Sequence, residues 1–289
     1  MKSFSGKVAV ITGGAGGLGR AFADKAHALG MSLVLSDIDT AALEKTRSEL
    51  AALGARVAIL AGDVSKAEHA EALAALALRE FSAVHCVFNN AGIGCGGLVW
   101  ENTVEDWDWV LGVNVMGVVH GVRAFTPLML EAAKRDSSYQ GQIVNVASVA
   151  GLLTAPMLGI YNVSKHAVVA LSETLHHDLA LVSPQVKASV LCPGFTPSGI
   201  ANSHRNRPKD LQSKTPPTDS MMKAQAMVSK AVETGKLTAQ DVANATFDAI
   251  SNERFWVFTH AGYKPLLDAR LDDMRALANP RNLAGMKGI

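Results

Sequence analysis

This sequence has few cysteines and almost no net charge. Its 289 residues include three cysteines, Cys86, Cys95 and Cys192, and the formal net charge is +1. The cysteines lack the spacing of a metal site or a redox pair, so we expect a reduced, cytosolic protein. A balanced charge directs no strong field at nucleic acid or at membranes, and we expect neither as a partner.

Long hydrophobic runs are missing as well. No run approaches the roughly 18 apolar residues that span a bilayer. The apolar run within the first residues, MKSFSGKVAVITGG, is too short for a signal peptide. We therefore expect no membrane insertion. Without repeats or linkers, residues 1–289 are predicted to form a single domain. Histidines have no acidic or cysteine partners in ligand spacing, and we predict no metal site for His166, His176 and His177.

Short β-branched runs alternate with helical stretches along most of the chain. Helical stretches separate the strands predicted at residues 7–12, 31–36, 56–61, 84–88, 142–147, 186–192 and 254–258. This order predicts a doubly wound α/β fold with a parallel seven-stranded sheet and helices on both faces. In such sheets ligands bind at the carboxyl ends of the strands.

The turn after the first strand is rich in glycine. It fits both the G-x-G-x-x-G and the T-G-x-x-x-G-x-G spacing, through Gly13, Gly14, Gly16, Gly17 and Gly19. Between a buried strand and a helix, such a loop binds a pyrophosphate through backbone N–H groups and the positive helix end. A simple turn is the alternative, and the flanking strand and helix favour the pyrophosphate site.

Polar residues follow the next three strands at the same predicted edge. Asp37 lies about 20 residues past the glycines, where a carboxylate accepts the ribose hydroxyls of an adenosine and repels a 2′-phosphate. No Arg or Lys follows it, so we expect NAD rather than NADP; the alternative is that Asp37 only caps the next helix. Asp63 and Val64 follow the third strand, and Asn90 follows the fourth.

Ser148, Tyr161 and Lys165 carry the predicted chemistry. Tyr161 and Lys165 are four residues apart, which in a helix places them on one face, about 6 Å apart at Cβ. A nearby ammonium favours the phenolate, so Tyr161 can exchange a proton with a substrate oxygen that Ser148 holds. An ordinary surface pair is the alternative. Asn114, an amide in an apolar helix, either binds backbone and water beside this pair or satisfies a helix irregularity.

The chain changes character at residues 195–235. This stretch contains four prolines, a basic patch and a methionine-bearing helical segment. Because it follows the sixth strand, we predict a substrate lid; a disordered surface excursion or a subunit contact is the alternative. A C-terminal tail is predicted from about residue 260. A solvated face is favoured over an anion site for the basic patch, which consists of His204, Arg205, Arg207 and Lys209.

Apolar side chains between Ser148 and Tyr161 indicate a hydrophobic pocket. With Trp100 and the methionines of the lid, its predicted wall is Leu152, Leu153, Met157 and Leu158. Trp107 and Trp109 are expected to be packing residues. We expect a bulky hydrophobic or aromatic alcohol or ketone, such as a steroid, an aryl compound or a lipid-derived compound.

The sequence resembles the short-chain dehydrogenase/reductase family over nearly its whole length. The matching motifs, in order, are Thr12-Gly13-x3-Gly17-x-Gly19, Asp63-Val64, Asn89-Asn90-Ala91-Gly92, Asn114, Ser148, Tyr161-x3-Lys165 and Pro193-Gly194. The resemblance implies a Rossmann-type fold. It also implies homodimers or homotetramers built on the predicted helices at residues 101–135 and 161–181.

The resemblance further implies roles for single residues. Tyr161 matches the acid/base, Ser148 the substrate-oxygen anchor, and Lys165 the residue that lowers the tyrosine pKa and binds the nicotinamide ribose. Asn114 matches the residue that holds a water in the proton relay. One departure is Ser198, where members often carry threonine. The implied cofactor contacts are Gly13, Gly17, Leu18, Gly19, Asp63, Val64, Asn90, Tyr161, Lys165, Pro193, Gly194 and Thr196.

Two other functions are compatible with the glycine loop. A non-catalytic NAD-binding regulator or scaffold could discard Tyr161 or Lys165, and both are present. Sugar-nucleotide epimerases and dehydratases are related in fold, but they are longer chains whose glycine motif has a different spacing. The sequence therefore predicts an oxidoreductase that transfers a hydride between NAD(H) and a secondary alcohol or ketone.

Overall fold

The structure, a computed structural model, describes residues 1–282. Strands and helices alternate along this range. The strands are β1 (Val8–Thr12), β2 (Ser32–Asp37), β3 (Val57–Ala61), β4 (Cys86–Asn89), β5 (Gly141–Val146), β6 (Val186–Cys192) and β7 (Trp256–Phe258). The α-helices are α1 (Gly17–Ala28), α2 (Thr40–Ala52), α3 (Ala67–Phe81), α4 (Val104–Leu111), α5 (Gly117–Arg135), α6 (Gly159–Val182), α7 (Asp219–Glu233), α8 (Ala239–Ser251) and α9 (Lys264–Arg275).

The seven strands form one parallel sheet in the order β3-β2-β1-β4-β5-β6-β7. The order reverses between β1 and β4, where the chain moves from one half of the sheet to the other. Thr12 at the end of β1 pairs with Ser36 near the end of β2. The carboxyl ends therefore meet at one edge, which is where such folds bind ligands. The predicted doubly wound fold is confirmed.

Helices bury both faces of the sheet. On one face, Phe22 of α1 and Phe247 of α8 pack against Phe88 of β4, with ring centroids 4.9 Å and 5.4 Å apart. On the other face, Phe125 and Met129 of α5 are buried in a second cluster with α3 and α6. Burial on both sides explains why the central strands are continuous apolar runs rather than alternating ones.

The longest helical stretch, Val104–Arg135, contains an irregularity. Its middle turn, Gly112–Met116, is π-helical and joins α4 to α5. By length and composition alone, this is the one helix of the described chain that could cross a membrane, with a mean hydropathy of 1.3. Phe125 and Met129 nevertheless face the core beside the sheet, which accounts for the apolar character of its inner face.

Short helices order the predicted lid segment. Two 3₁₀ turns, Gly199–Asn206 and Lys209–Leu211, precede α7. Thr218 caps α7. The carboxylate of Glu101 accepts hydrogen bonds from the hydroxyls of Thr218 (2.6 Å) and Ser220 (2.5 Å), and so ties the start of α7 to the loop that follows β4.

The chain beyond residue 260 is more regular than the predicted tail. A 3₁₀ turn ending at Tyr263 leads into α9. Tyr263 and Leu266 are buried together with Leu153, next to the turn that follows β5. The last part of the predicted tail, residues 283–289, lies outside the described residues.

Candidate active site

A cavity of about 1220 Å³ opens along the carboxyl ends of the strands. Most of the predicted site residues form its wall. They are Gly13, Gly17, Leu18, Asp37, Asp63, Val64, Asn90, Ser148, Tyr161, Lys165, Pro193, Gly194 and Thr196. Gly19 and Asn114 are not wall residues, and both support it from behind.

The glycine loop has a conformation that other residues would not tolerate. Gly13 and Gly17 have φ angles of +66° and +53°, in the left-handed region that glycine adopts without strain. A Cβ atom at Gly19 would lie 1.9 Å from the carbonyl oxygen of Gly13. The N-cap of α1 is Gly16, and no side chain of the described residues caps it. The first-turn N–H groups of α1 therefore suit a bound anion.

Two residues at the predicted adenosine side have structural bonds of their own. Asn90 donates from Nδ2 to the carbonyl of Thr12 (2.8 Å), and its backbone N–H donates to the Thr12 hydroxyl (3.0 Å). Asn90 thus fixes the glycine loop to β4 while lining the cavity. The carboxylate of Asp63 accepts from the N–H of Ser65 at 2.9 Å.

Asp37 faces the glycine loop. Its Oδ2 accepts a hydrogen bond from the N–H of Ala15 at 3.0 Å. The cap of α2 is Asp39, which accepts from the N–H of Ala42 at 3.0 Å. The alternative in which Asp37 serves as the helix cap is therefore wrong. Its carboxylate, together with Ile38, lines the cavity beside the loop.

Ser148 and Lys165 are fixed by the backbone at neighbouring strand ends. The hydroxyl of Ser148 donates to the carbonyl of Pro193 at 3.4 Å. Lys165 is 3% exposed, and its ammonium donates to the carbonyl of Val146 at 2.9 Å. The same nitrogen lies 5.7 Å from the centroid of the Tyr161 ring. The helical spacing and the end of β5 thus bring the three predicted residues together.

Burial acts against ionisation of both Tyr161 and Lys165. It raises the pKa of Tyr161, and the hydrogen bond with Ser148 opposes that rise. It lowers the pKa of Lys165 from 10.5 to about 8. Desolvation thus opposes the lowering of the tyrosine pKa that is expected from Lys165, and that role of Lys165 stays a prediction. A further positive charge bound in the cavity would favour the phenolate.

Asn114 lies fully buried in the π-helical turn. Its Oδ1 accepts from the N–H of Ile93 (2.8 Å), and its Nδ2 donates to the carbonyl of Ile93 and the hydroxyl of Ser164 (both 3.0 Å). The amide thus binds backbone, and the helix irregularity is present as well. A Cβ at Gly92 would lie 3.4 Å from both Asn114 Oδ1 and Lys165 Nζ, so Asn114 lies directly behind the wall. A relay water on Asn114 stays a prediction.

The remaining wall of the cavity is largely apolar. Leu153, Met157 and Leu158 line it as expected. Leu152 lies instead beside Phe258, and Trp100 is 76% exposed. The prediction that these two residues line the pocket is therefore wrong. Residues from α4, the π-helical turn and the lid complete the apolar wall, namely Trp109, Val113, Ile200, Met227 and Val228.

Comparison with known proteins identifies the family. A family model described as short chain dehydrogenase matches residues 7–209. The chain belongs to this family. The short-chain dehydrogenases are oxidoreductases, so the chain is an enzyme of that class acting on small molecules, and the predicted family is confirmed.

Two solved structures and one curated relative show how far the similarity extends. A crystal structure of a short-chain dehydrogenase/reductase from Burkholderia phymatum in complex with NAD has 50% identity, covers 97% of this chain and 98% of its own, and gives a TM-score of 0.95. The CLA biosynthesis dehydrogenase/reductase of Lactiplantibacillus plantarum is 32% identical over 274 residues, 94% of each protein. The alcohol dehydrogenase of Thermococcus sibiricus complexed with 5-hydroxy-NADP is 26% identical over 87% of this chain and 95% of its own, with a TM-score of 0.70.

The C-terminal segment of this short-chain dehydrogenase supplies wall residues that the sequence did not predict. His260 accepts a hydrogen bond at Nδ1 from the N–H of Gly194 (3.1 Å), and burial lowers its pKa. The ring of Tyr263 packs directly against Gly194, since a Cβ at Gly194 would lie only 2.5 Å from Cε2 of Tyr263. No local motif marks these residues, since only the return of the chain after β7 brings them to the cavity.

The cavity fits a nicotinamide dinucleotide by its own geometry. The loop accepts only glycine at Gly19, the first turn of α1 has no side-chain cap, and a carboxylate stands at the end of β2. A buried ammonium, that of Lys165, lies at the opposite part of the wall beside Tyr161. These features match a ribose at the end of β2, an anionic pyrophosphate at the end of β1 and a redox-active ring near the end of β5, in that order along the sheet edge.

Proposed function

We propose that this dehydrogenase transfers a hydride between NAD(H) and a secondary alcohol or ketone. The observation that carries the proposal is the convergence of Ser148, Tyr161 and Lys165 on the wall of the same cavity that holds the glycine loop and Asp37. Hydride transfer from an alcohol needs a base for the hydroxyl proton and a site for the acceptor, and this cavity has both.

Each of the three residues has a distinct part in the proposed reaction. Ser148 holds the substrate oxygen, and the phenolic oxygen of Tyr161 exchanges a proton with it. Bringing a phenol from a pKa of about 10 to about 7 requires about 4 kcal/mol, and burial of Tyr161, which raises its pKa, adds to that requirement. Lys165 contributes one positive charge from behind the ring, and a bound oxidised nicotinamide contributes hydride acceptance and a second positive charge.

The preference for NAD over NADP rests on Asp37. Its carboxylate, held beside the glycine loop by the Ala15 N–H, would repel a 2′-phosphate and accept ribose hydroxyls. The NAD complex of the relative that is 50% identical supports this preference. The 5-hydroxy-NADP complex of a less similar relative shows that family membership alone does not decide the cofactor.

A bulky hydrophobic substrate is supported by the apolar wall. Trp109, Leu158 and Met227 come from three different segments of the chain and line the same cavity. A small polar alcohol would leave this surface in contact with water, whereas a steroid, aryl or lipid-derived alcohol would cover it.

Assembly into a homodimer or homotetramer is supported by exposed apolar side chains on the helices that the resemblance implicates. Val104 and Met116 are 72% and 41% exposed, and Val163 and Leu181 of α6 are 48% and 84% exposed. Sedimentation velocity tests this part. A species of twice or four times the chain mass is expected, and a monomer at all concentrations would contradict it.

An NAD-linked activity screen tests the proposed function. Alcohols and ketones of graded size and polarity are offered with NAD⁺ or NADH, and turnover should rise with apolar size. Turnover of small polyols or sugars alone would contradict the substrate class. Tight NADH binding without turnover across the panel would favour a non-catalytic regulator instead.

A further inference from the structure

The basic patch of the lid is divided in the structure. The side chain of Arg207 is 12% exposed and forms an ion pair with the buried Asp106 at 2.6 Å. Lys209 and Arg205 are both exposed, but Lys209 lies outside the cavity wall and Arg205 is part of that wall. The prediction that the patch is a solvated face is therefore wrong for Arg207. Arg205 is exposed as predicted, lines the cavity and has no carboxylate partner among the described residues.

Arg205 folds back against its own turn. Its Nη1 donates to the carbonyls of Asn202 (2.9 Å) and Gly199 (3.2 Å). A Cβ at Gly199 would lie 3.2 Å from Nη2 of the same guanidinium. Both hydrogen bonds are made by one nitrogen, so the other two nitrogens remain for a ligand. Within residues 1–282, no carboxylate forms an ion pair with this side chain.

The turn that Arg205 contacts rests on the glycine loop. A Cβ at Gly17 would lie 3.3 Å from Cβ of Ser198, the residue before Gly199. Gly17 begins α1, whose first turn contains no acidic residue. The guanidinium is bound to Gly199, and the preceding residue, Ser198, contacts the amino terminus of α1. That end of α1 is where the cavity suits an anion.

We propose that Arg205 binds the pyrophosphate of the dinucleotide from the lid side. This inference rests on the proposed function and adds a cation to a site otherwise made of backbone N–H groups. A guanidinium suits the task because its planar donors bind phosphate oxygens in pairs. The interaction also joins the lid to the cofactor, since the same guanidinium holds the Gly199–Asn206 turn.

The other cations of the cavity wall serve elsewhere. Lys165 is bound to the carbonyl of Val146 beside Tyr161. Lys236 follows Gly235, which packs against Phe195 and Pro197 rather than against the glycine loop itself. Arg205 is thus the wall cation whose own hydrogen bonds hold the turn next to the start of α1, among the described residues.

The test compares Arg205→Gln with Lys209→Gln, which removes one positive charge from the same segment outside the cavity. Dissociation constants for NADH, ADP-ribose and adenosine are measured by calorimetry on the full chain. For Arg205→Gln, NADH and ADP-ribose affinities should each fall about tenfold, equal to about 1.4 kcal/mol. Adenosine affinity should not change, and Lys209→Gln should bind all three like the wild type.

Further measurements separate the alternatives. Arg205→Lys should recover part of the lost affinity, and Arg205→Gln should reduce the salt dependence of ADP-ribose binding. Unchanged ADP-ribose affinity in Arg205→Gln would overturn the proposal. A rise confined to the KM of carboxylate-bearing substrates would also overturn it and assign the guanidinium to the substrate. A wild-type chain that binds no NADH would refute the proposed function itself, which is a separate result.

Discussion

The ammonium of Lys165 and the ring of Tyr161 lie on the same face of α6, 5.7 Å apart. The lysine is buried and held by the carbonyl of Val146 at the end of β5. Its charge is therefore maintained behind the phenol at a cost in folding free energy, because burial lowers its pKa to about 8. This relationship links the proposed chemistry to the stability of the fold.

Lys165→Met should stabilise the protein at neutral pH while removing activity. The shift of the lysine pKa from 10.5 to about 8 corresponds to a cost of about 3 kcal/mol for keeping the charge buried. Losing the hydrogen bond to Val146 offsets about 1 kcal/mol of the gain. Urea unfolding at pH 7 should therefore show the variant about 2 kcal/mol more stable than the wild type.

The pH dependence of this difference follows from the direction of the shift. The folded state releases the lysine proton near pH 8 and the unfolded state near 10.5, so the wild type gains stability as pH rises through that window. The advantage of the variant should shrink accordingly. Lys230→Met, at an exposed position of α7, serves as the control and should show no such trend. A variant less stable than the wild type at pH 7 would contradict the account.

Asp37→Asn should weaken the discrimination against NADPH. The amide keeps an oxygen for the N–H of Ala15 but removes the charge that repels a 2′-phosphate. We expect the ratio of NADPH to NADH dissociation constants to fall about tenfold, or about 1.4 kcal/mol. The control is Asp39→Asn, two residues away, because asparagine caps α2 as well as aspartate does. Tighter binding of NADPH than NADH by the wild type would refute the role given to Asp37.

Arg207→Gln should destabilise the protein strongly. It leaves the Asp106 carboxylate buried without its partner, a change that costs about 3–5 kcal/mol at buried pairs. It also removes a guanidinium that lies 5.1 Å from the Trp109 ring centroid in the cavity wall. Arg275→Gln breaks an exposed pair with Asp272 and should cost at most about 1 kcal/mol. Equal unfolding midpoints for the two variants would contradict this prediction.

Local pattern was sufficient for the sheet and for most of the site. Apolar runs ending in Thr12 and Asp37 define strands whose ends must meet, because parallel strands share one carboxyl edge. The four-residue spacing of Tyr161 and Lys165 is likewise a property of any helix. These features depend on neighbours in sequence, and the structure has them where they were expected.

Residues that reach the cavity over long distances in sequence could not be predicted in the same way. Trp109 has the pattern of a packing residue and is buried, yet one side of it forms the cavity wall. His260 and Tyr263 belong to the segment after β7, and no local pattern indicates that this segment returns to the cavity. Arg205 and Arg207 are two residues apart in a basic patch, and only the folded segment places Arg205 at the cavity and Arg207 in an ion pair.

The most direct test of the central claim is the activity and NADH affinity of Tyr161→Phe. The phenyl ring keeps the packing over Lys165 and removes only the proton-exchanging oxygen. NADH should bind within about twofold of the wild type, and kcat/KM for the best alcohol should fall by about 10²–10⁴. Activity within tenfold of the wild type would show that Tyr161 does not transfer the proton and would contradict the account.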